Sequence, residues 1–279
     1  MALLAKGGFL PVITPALMGS SFILVGWFVD PLFGLAPGLG ILMLMLAAFF
    51  ANFWRDPDRP ISREEGIIVS PADGHVMFVK RERATGRRPS KDEMENAEED
   101  ELTGSWHTEP CDSILSFSTE QRFEAVPKGE ESNSDVWRTA VFMSPLDVHV
   151  NRSPIAGKII RMEHRTGKGK RRGPFLPAFK KESEYNERVR TLFEREDGLI
   201  IEVMQISGAL ARTIIPWSSE GDTMRRGERF GMIRLGSRVD VRVPANRFKP
   251  CVISAEDGNK EYPKGEFVKG GSTILYREE

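Results

Sequence analysis

Apolar and polar positions are divided unevenly along this chain. Between Gly7 and Phe53 the only charged residue is Asp30, and the Asp30-Pro31 step separates two apolar stretches, Gly7–Val29 and Leu32–Phe53. Each is long enough to cross a hydrocarbon core, which takes roughly 20 residues. The second holds an unbroken apolar run from Ile41 to Phe50, whereas Pro11, Pro15, Gly19, Ser20 and Ser21 interrupt the first. The pattern predicts a two-helix transmembrane hairpin over residues 1–53. A cleavable signal peptide fits poorly, because no short charged start and small-residue cleavage site precede a polar chain. A helical hairpin buried in a soluble core is the plainer alternative. Lys6 precedes the first stretch and Arg55 follows the second, so the positive-inside rule puts both ends in the cytoplasm of a cell membrane.

After Phe53 the pattern changes. Trp54-Arg55-Asp56-Pro57-Asp58-Arg59-Pro60 reads as an interfacial exit, or simply as a loop where proline stops the helix. From Gly66 onward, short β-rich runs alternate with Gly, Pro and Asp turns. Strands are predicted at Ile67–Val69, His75–Lys80, Trp137–Met143, Lys158–Met162, Val189–Glu194, Leu199–Ile206, Arg212–Pro216, Met232–Leu235 and Val239–Val243. Residues 54–279 are therefore expected to form a mainly β domain, sandwich or barrel-like. Two internal echoes support this. Ser70-Pro71-Ala72-Asp73-Gly74 resembles Ser153-Pro154-Ile155-Ala156-Gly157, and Glu220 through Gly227 resembles Gly258 through Gly265. Such glycine-closed turns also occur in barrel-sandwich carrier domains, which makes that fold a rival.

Two charged segments stand apart. Residues 81–135 begin with Arg81, Arg83, Arg87 and Arg88, continue through an acidic run from Lys91 to Glu101, and read as an exposed polar insertion. Arg161 through Lys181 is basic, interleaved with Phe175, Leu176, Pro177 and Phe179. That mixture suits an anionic lipid surface, and a solvated loop is the bland alternative.

Composition removes several classes. Lys+Arg number 39 against 40 Asp+Glu, a net charge of -1, which gives no support to nucleic-acid binding. Two cysteines, Cys111 and Cys251, cannot make a disulfide scaffold. The histidines His75, His107, His149 and His164 lack metal spacing, so no metal is expected. Nucleophile elbows and P-loops are absent from the sequence.

Three pieces remain that could carry chemistry. An acid sits on a tight turn in Ser70-Pro71-Ala72-Asp73-Gly74. A histidine lies just past a strand in Phe142-Met143-Ser144-Pro145-Leu146-Asp147-Val148-His149-Val150-Asn151-Arg152-Ser153-Pro154. The third is Arg229 through Asp240, centred on Leu235-Gly236-Ser237. In this order, and with the Phe53 to Pro60 tract, Asn186-Glu187-Arg188 and Gln205-Ile206-Ser207-Gly208, they resemble the pyruvoyl-dependent phosphatidylserine decarboxylases. The short bacterial branch is most similar, and the resemblance runs from residue 53 to about residue 245.

That resemblance implies a self-made cofactor. Decarboxylating an amino acid needs an electron sink, which no side chain supplies. The Ser237 hydroxyl would attack the Gly236 carbonyl, and the chain would break into residues 1–236 and 237–279, with Ser237 becoming a pyruvoyl group. The amine of phosphatidylserine would then form a Schiff base with it, lose carbon dioxide and leave as phosphatidylethanolamine. Asp73 is the implied activator of Ser237, which needs a base. His149 is the implied proton-transfer partner. Some members carry a second histidine three residues on, where this chain has Arg152. Either His149 serves both steps or Asp73 acts without a histidine relay. Arg152 is the candidate for holding the lipid phosphate or carboxylate, which a guanidinium does well.

A second Gly-Ser tract, Gly270-Gly271-Ser272-Thr273, competes as a cleavage point. Cutting there frees only Ser272–Glu279, too little to hold a catalytic group, whereas a cut before Ser237 leaves enough chain for two or three strands. Two other readings remain. One is the same chemistry on a related serine-headed lipid of the archaetidylserine kind, and the other is a non-enzymatic, membrane-tethered β adaptor or carrier. The expected partners are phosphatidylserine in the membrane, the chain's own cleaved C-terminal piece and an anionic lipid surface, with homo-oligomerisation open.

Overall fold

A computed structural model describes residues 4–28, 34–84, 123–165, 186–208, 213–234, 236–258 and 264–279. The Asp30 turn, the acidic run, most of the basic tract and Leu235 lie outside the described residues. The chain divides into two units, Met1–Asp58 with Leu146–Val148, and Arg59–Pro145 with His149–Glu279.

The first unit holds helices α1 (Phe9–Phe28) and α2 (Leu35–Phe53), both long and apolar enough to cross a membrane. They form where the sequence is apolar all round, and large side chains such as Trp27, Phe28 and Leu10 stay exposed on them. The helices pack through small residues. A Cβ added at Gly19 would press on Gly40 O, and one at Gly40 on Gly19 O, so glycine at both positions lets the backbones touch. After α2, Ala5 N–H donates to Trp54 O at 2.8 Å, and Arg55 Nη2 donates to Leu146 O at 2.7 Å.

Among the described residues, the second unit is made of β-strands together with a 3-10 turn at Ala255–Asp257. Its strands are β1 (Ile67–Val69), β2 (Gly74–Ala84), β3 (Phe123–Ala125), β4 (Val136–Met143), β5 (Val150–Arg152), β6 (Gly157–Arg165), β7 (Arg188–Glu194) and β8 (Ile200–Ile206). They continue as β9 (Ile214–Pro216), β10 (Thr223–Met224), β11 (Arg229–Ile233), β12 (Ser237–Pro244), β13 (Phe248–Pro250), β14 (Phe267–Val268) and β15 (Ile274–Glu278). Among the described residues the central sheet runs β10-β6-β7-β8-β12-β4-β2-β14, with β3 beside β2. Two three-stranded sheets accompany it, β1-β15-β13 and β5-β11-β9. No closed barrel forms among them. Each of the nine predicted strands overlaps an observed one, though the Met232–Leu235 strand begins earlier, as β11, and Arg212 and Leu235 lie outside the described residues; Arg81 and Arg83, placed by sequence in the polar insertion, belong to β2.

This order has an approximate two-fold axis between β8 and β12, with β8 and β12, β7 and β4, β6 and β2, and β10 and β14 as counterparts. Equivalent bonds recur across it. Ser70 Oγ donates to Ala72 O at 2.6 Å, and Ser153 Oγ donates to Ile155 O at 2.7 Å. Val69 N–H reaches Pro154 O while Arg152 N–H reaches Pro71 O, so the two turns hold each other. Gly271 N–H donates to Ser70 O and Gly227 N–H to Ser153 O. Val268 faces Gly74 as Met224 faces Gly157. The bulge between Val76 and Phe78 matches the one between Ile159 and Arg161. The first sequence echo is thus a structural repeat. The second echo has a different register: the counterparts are Gly227 with Gly271, and Asp222 with Glu266, whose carbonyls accept from Ile159 N–H and Val76 N–H.

The core fills the space between the central sheet and the small ones. Val141, Met143, Val203, Val239 and Val241 of the central sheet share it with Phe230, Phe248 and Tyr276. Strand β12 shows how period-2 alternation builds this. Ser237, Val239, Val241 and Val243 share one face, while Arg238, Asp240 and Arg242 share the other. All eight residues of β12 are nevertheless buried, because the charged face is paired across strands. Arg138 Nε donates to Asp240 Oδ2 at 2.8 Å, and its two-fold mate Arg190 Nε donates to Glu202 Oε2 at 2.7 Å. Arg242 bonds both Glu82 and Glu202. Burial alone would push the Asp240 carboxyl up, but Arg138 and Arg238 outweigh it and hold it well below the usual carboxylate range.

Candidate functional site

The site is built around the end of β4. Met143 is the last residue of that strand and pairs with Ser237, the first residue of β12. On the other side of β4, His75 of β2 pairs with Phe142, so the Asp73-Gly74 turn and Ser237 flank the same strand end. Two strand spacings, about 10 Å, separate their backbones. Gly74 has no alternative here, since a Cβ at its φ of 148° would collide with Phe142 O.

Ser237 is fully buried, and its Oγ donates to Met143 Sδ at 3.3 Å. Gly236 before it has φ +65°, a left-handed conformation natural to glycine, and open space where a Cβ would stand. The bond between them therefore joins a loop residue to the start of an inner strand. Asp73 is buried, with Oδ2 2.5 Å from Arg59 Nη2 and Oδ1 accepting Gly270 N–H at 2.7 Å. Its carboxylate thus has a cationic partner and also ties down the turn that carries the second Gly-Ser tract. Ser272 itself is less enclosed than Ser237, and its Oγ donates to Pro60 O at 3.1 Å.

His149 is fully buried between β4 and β5, and its carbonyl accepts Ile233 N–H at 3.3 Å. That bond continues the β5–β11 ladder, so alternation puts His149 on the same side as Asn151 and Arg152 on the opposite side. Asn151 does reach the serine's neighbourhood, since its Nδ2 lies 3.8 Å from Met143 Sδ. Arg152 Nη1 instead donates to Gly227 O at 3.0 Å, holding the turn equivalent to Gly271.

Four groups that sequence reasoning left without roles complete the site. Gln205 Nε2 donates to Asn151 Oδ1 at 2.7 Å, so Ser237, Met143, Asn151 and Gln205 form one buried chain of contacts. Arg59, read from sequence as part of a membrane exit, is the counter-charge of Asp73. Gln205 and Asn151 both lie within the stretches that carry the family resemblance, but they are 54 residues apart, and no local spacing pairs them.

The family model described as phosphatidylserine decarboxylase matches residues 46–276. A phosphatidylserine decarboxylase proenzyme of Erythrobacter litoralis is 36% identical over 86% of this chain and 75% of its own length. Those of Symbiobacterium thermophilum and Thermobifida fusca are 35% and 36% identical, each over 86% of this chain and over 83% and 78% of their own lengths. With nearly all of the β unit inside the matched region, the chain belongs to the phosphatidylserine decarboxylase family.

Proposed function

We propose that this protein is a self-processing, membrane-anchored decarboxylase that turns phosphatidylserine into phosphatidylethanolamine, with its β unit on the cytoplasmic side. The observation that carries this reading is Ser237, a buried serine opening an inner strand directly after a left-handed glycine, in a chain of this family.

In self-processing, Ser237 Oγ attacks the Gly236 carbonyl carbon. The C–O bond forms, the C–N bond breaks, and the amide becomes an ester. β-Elimination releases the Gly236 carboxylate and leaves dehydroalanine, which water converts to a pyruvoyl end with loss of ammonia. The residues present suit that group, because position 237 faces the core beside Met143, with its strand paired on both sides. Once formed, the pyruvoyl group supplies the electron sink for carbon dioxide loss. Asp73 is the assigned base for the Ser237 hydroxyl, with Arg59 supplying its counter-charge. His149 is assigned to proton transfer at the reacting carbon, from a buried position beside β5. Arg152 is assigned to the head group's phosphate or carboxylate, and its bond to Gly227 fixes the guanidinium in place. The apolar α1–α2 hairpin suits a lipid substrate.

Intact masses and a denaturing gel of purified protein test this reading. The expected result is a small chain that starts at position 237 with a blocked pyruvoyl end. Active protein that consists of a single uncut chain would overturn it.

A further inference from the structure

Two buried polar atoms beside Ser237 have no hydrogen-bond partner among the described residues, Gln205 Oε1 and Ser207 Oγ. Both residues are fully enclosed. Leaving a buried acceptor or hydroxyl unsatisfied costs stability, so such atoms call for an explanation. Their position offers one. Gln205 pairs with Val239, on the face of β12 that also bears Ser237. Diagonal neighbours of this kind sit about 7–8 Å apart, within reach of a long side chain. The Gln205 amide is also oriented. Its Nε2 is committed to Asn151 Oδ1, and glycine at position 231 lets the backbone of β11 come close to that nitrogen. The oxygen is therefore the end of the amide left to accept a donor.

We propose that Gln205, oriented by Asn151, is a catalytic residue that accepts an N–H from the amino group of the substrate's head as that group approaches position 237. This rests on the decarboxylase reading above. An amine is the one donor that a serine or ethanolamine head must bring to this position, and an amide oxygen is an acceptor that stays uncharged in the core. The contact favours a charged ammonium over a hydroxyl of the same size, which donates only as a neutral group. A hydrogen bond to a charged group is worth about tenfold or more in affinity.

The test uses cleaved, detergent-solubilised enzyme treated with borohydride, which turns the pyruvoyl ketone into a hydroxyl that cannot form a Schiff base, and two soluble probes, glycerophosphoethanolamine and its counterpart with a hydroxyl in place of the amine. Calorimetric titration of wild type should show the amine bound about tenfold tighter or more. In the cut fraction of Gln205→Met the ratio should fall to within about twofold. Gln205→Glu keeps the oxygen and adds charge, so it should prefer the amine at least as strongly as wild type. An unchanged ratio in Gln205→Met overturns the proposal. Where Gln205→Met fails to fold or to cut, Gln205→Glu decides, and an uncut Gln205→Glu, or one that loses the preference, overturns it as well. Failure of the decarboxylase reading looks different, because wild type itself would then yield no small chain.

Discussion

The turn entering β2 and the turn entering β6 are built alike, yet only one of them carries an acid. Each has a serine bonded to the carbonyl two residues on, a proline, and a glycine packed against a neighbouring strand's carbonyl. Where the first has Asp73, the second has Ala156. The offset that takes Glu202 to Asp240 likewise takes Leu199 to Ser237. One half of the unit thus shows what the scaffold needs, a methyl group and a leucine, and the other half shows what was put in their place. A carboxylate and a hydroxyl that the fold can do without point to chemistry.

The sharpest way to break this comparison is to alter both mates of a pair. Ser237→Ala should abolish cleavage and activity together, read on a gel and by product formation. Leu199→Ala should leave cleavage intact and lower stability by about 2–4 kcal/mol in urea titrations, the usual cost of removing a buried leucine side chain. Asp73→Ala copies the other half directly. It should slow cleavage by about 10²-fold or more, the scale of a lost general base, and a normally maturing Asp73→Asn would remove Asp73 from that role.

The two glycines should behave as a pair. Gly74→Ala and Gly157→Ala each drive a methyl into a backbone carbonyl and should each cost about 2–4 kcal/mol. Gly74→Ala should be the worse because of its positive φ, and a harmless change at either site would undo the equivalence. The paired carboxylates sharpen the comparison through pH. Burial raises Asp240 and Glu202, but their arginines outweigh it and hold both below their ordinary 3.8 and 4.5. A depressed value means stability is fully present above the ordinary one and is lost as pH falls through the depressed one. The urea midpoint should therefore be flat above about pH 5 on account of these groups and decline below about pH 4. The smallest effect is expected from Ser272→Ala, with cleavage within about twofold of wild type, as suits a side chain whose change lies outside the reacting bond.

Much of the scaffold was legible because it is written in local pattern. The helices follow from two uncharged stretches, and the long strands from β-rich runs between turns. Strands β3, β5, β10, β13, β14 and β15 went unseen, being two to five residues long and too short to show a period. The charged face of β12 was hidden for another reason. Alternation there suggests a half-exposed strand, but Asp240 is buried by Arg138, which lies 102 residues away. Candidate site residues stood out in the sequence where a residue type announces chemistry, as at Ser237, Asp73 and His149, each of them buried in the structure. Nothing local marked Gln205, an ordinary amide whose contact with Asn151, and through it with Met143, joins distant segments.

The placement of β12 bears on what happens after the protein is made. It lies between β4 and β8, and β15 lies between β1 and β13. A chain cut before Ser237 therefore contributes an inner strand to one sheet and the middle strand to another. Such a piece could not peel off from an edge, and it could leave the folded protein only by opening both sheets. On the proposed cleavage, the precursor would refold by itself, whereas the cut form would have to find its lost segment from solution and would hold its shape by the slowness of its first unfolding event.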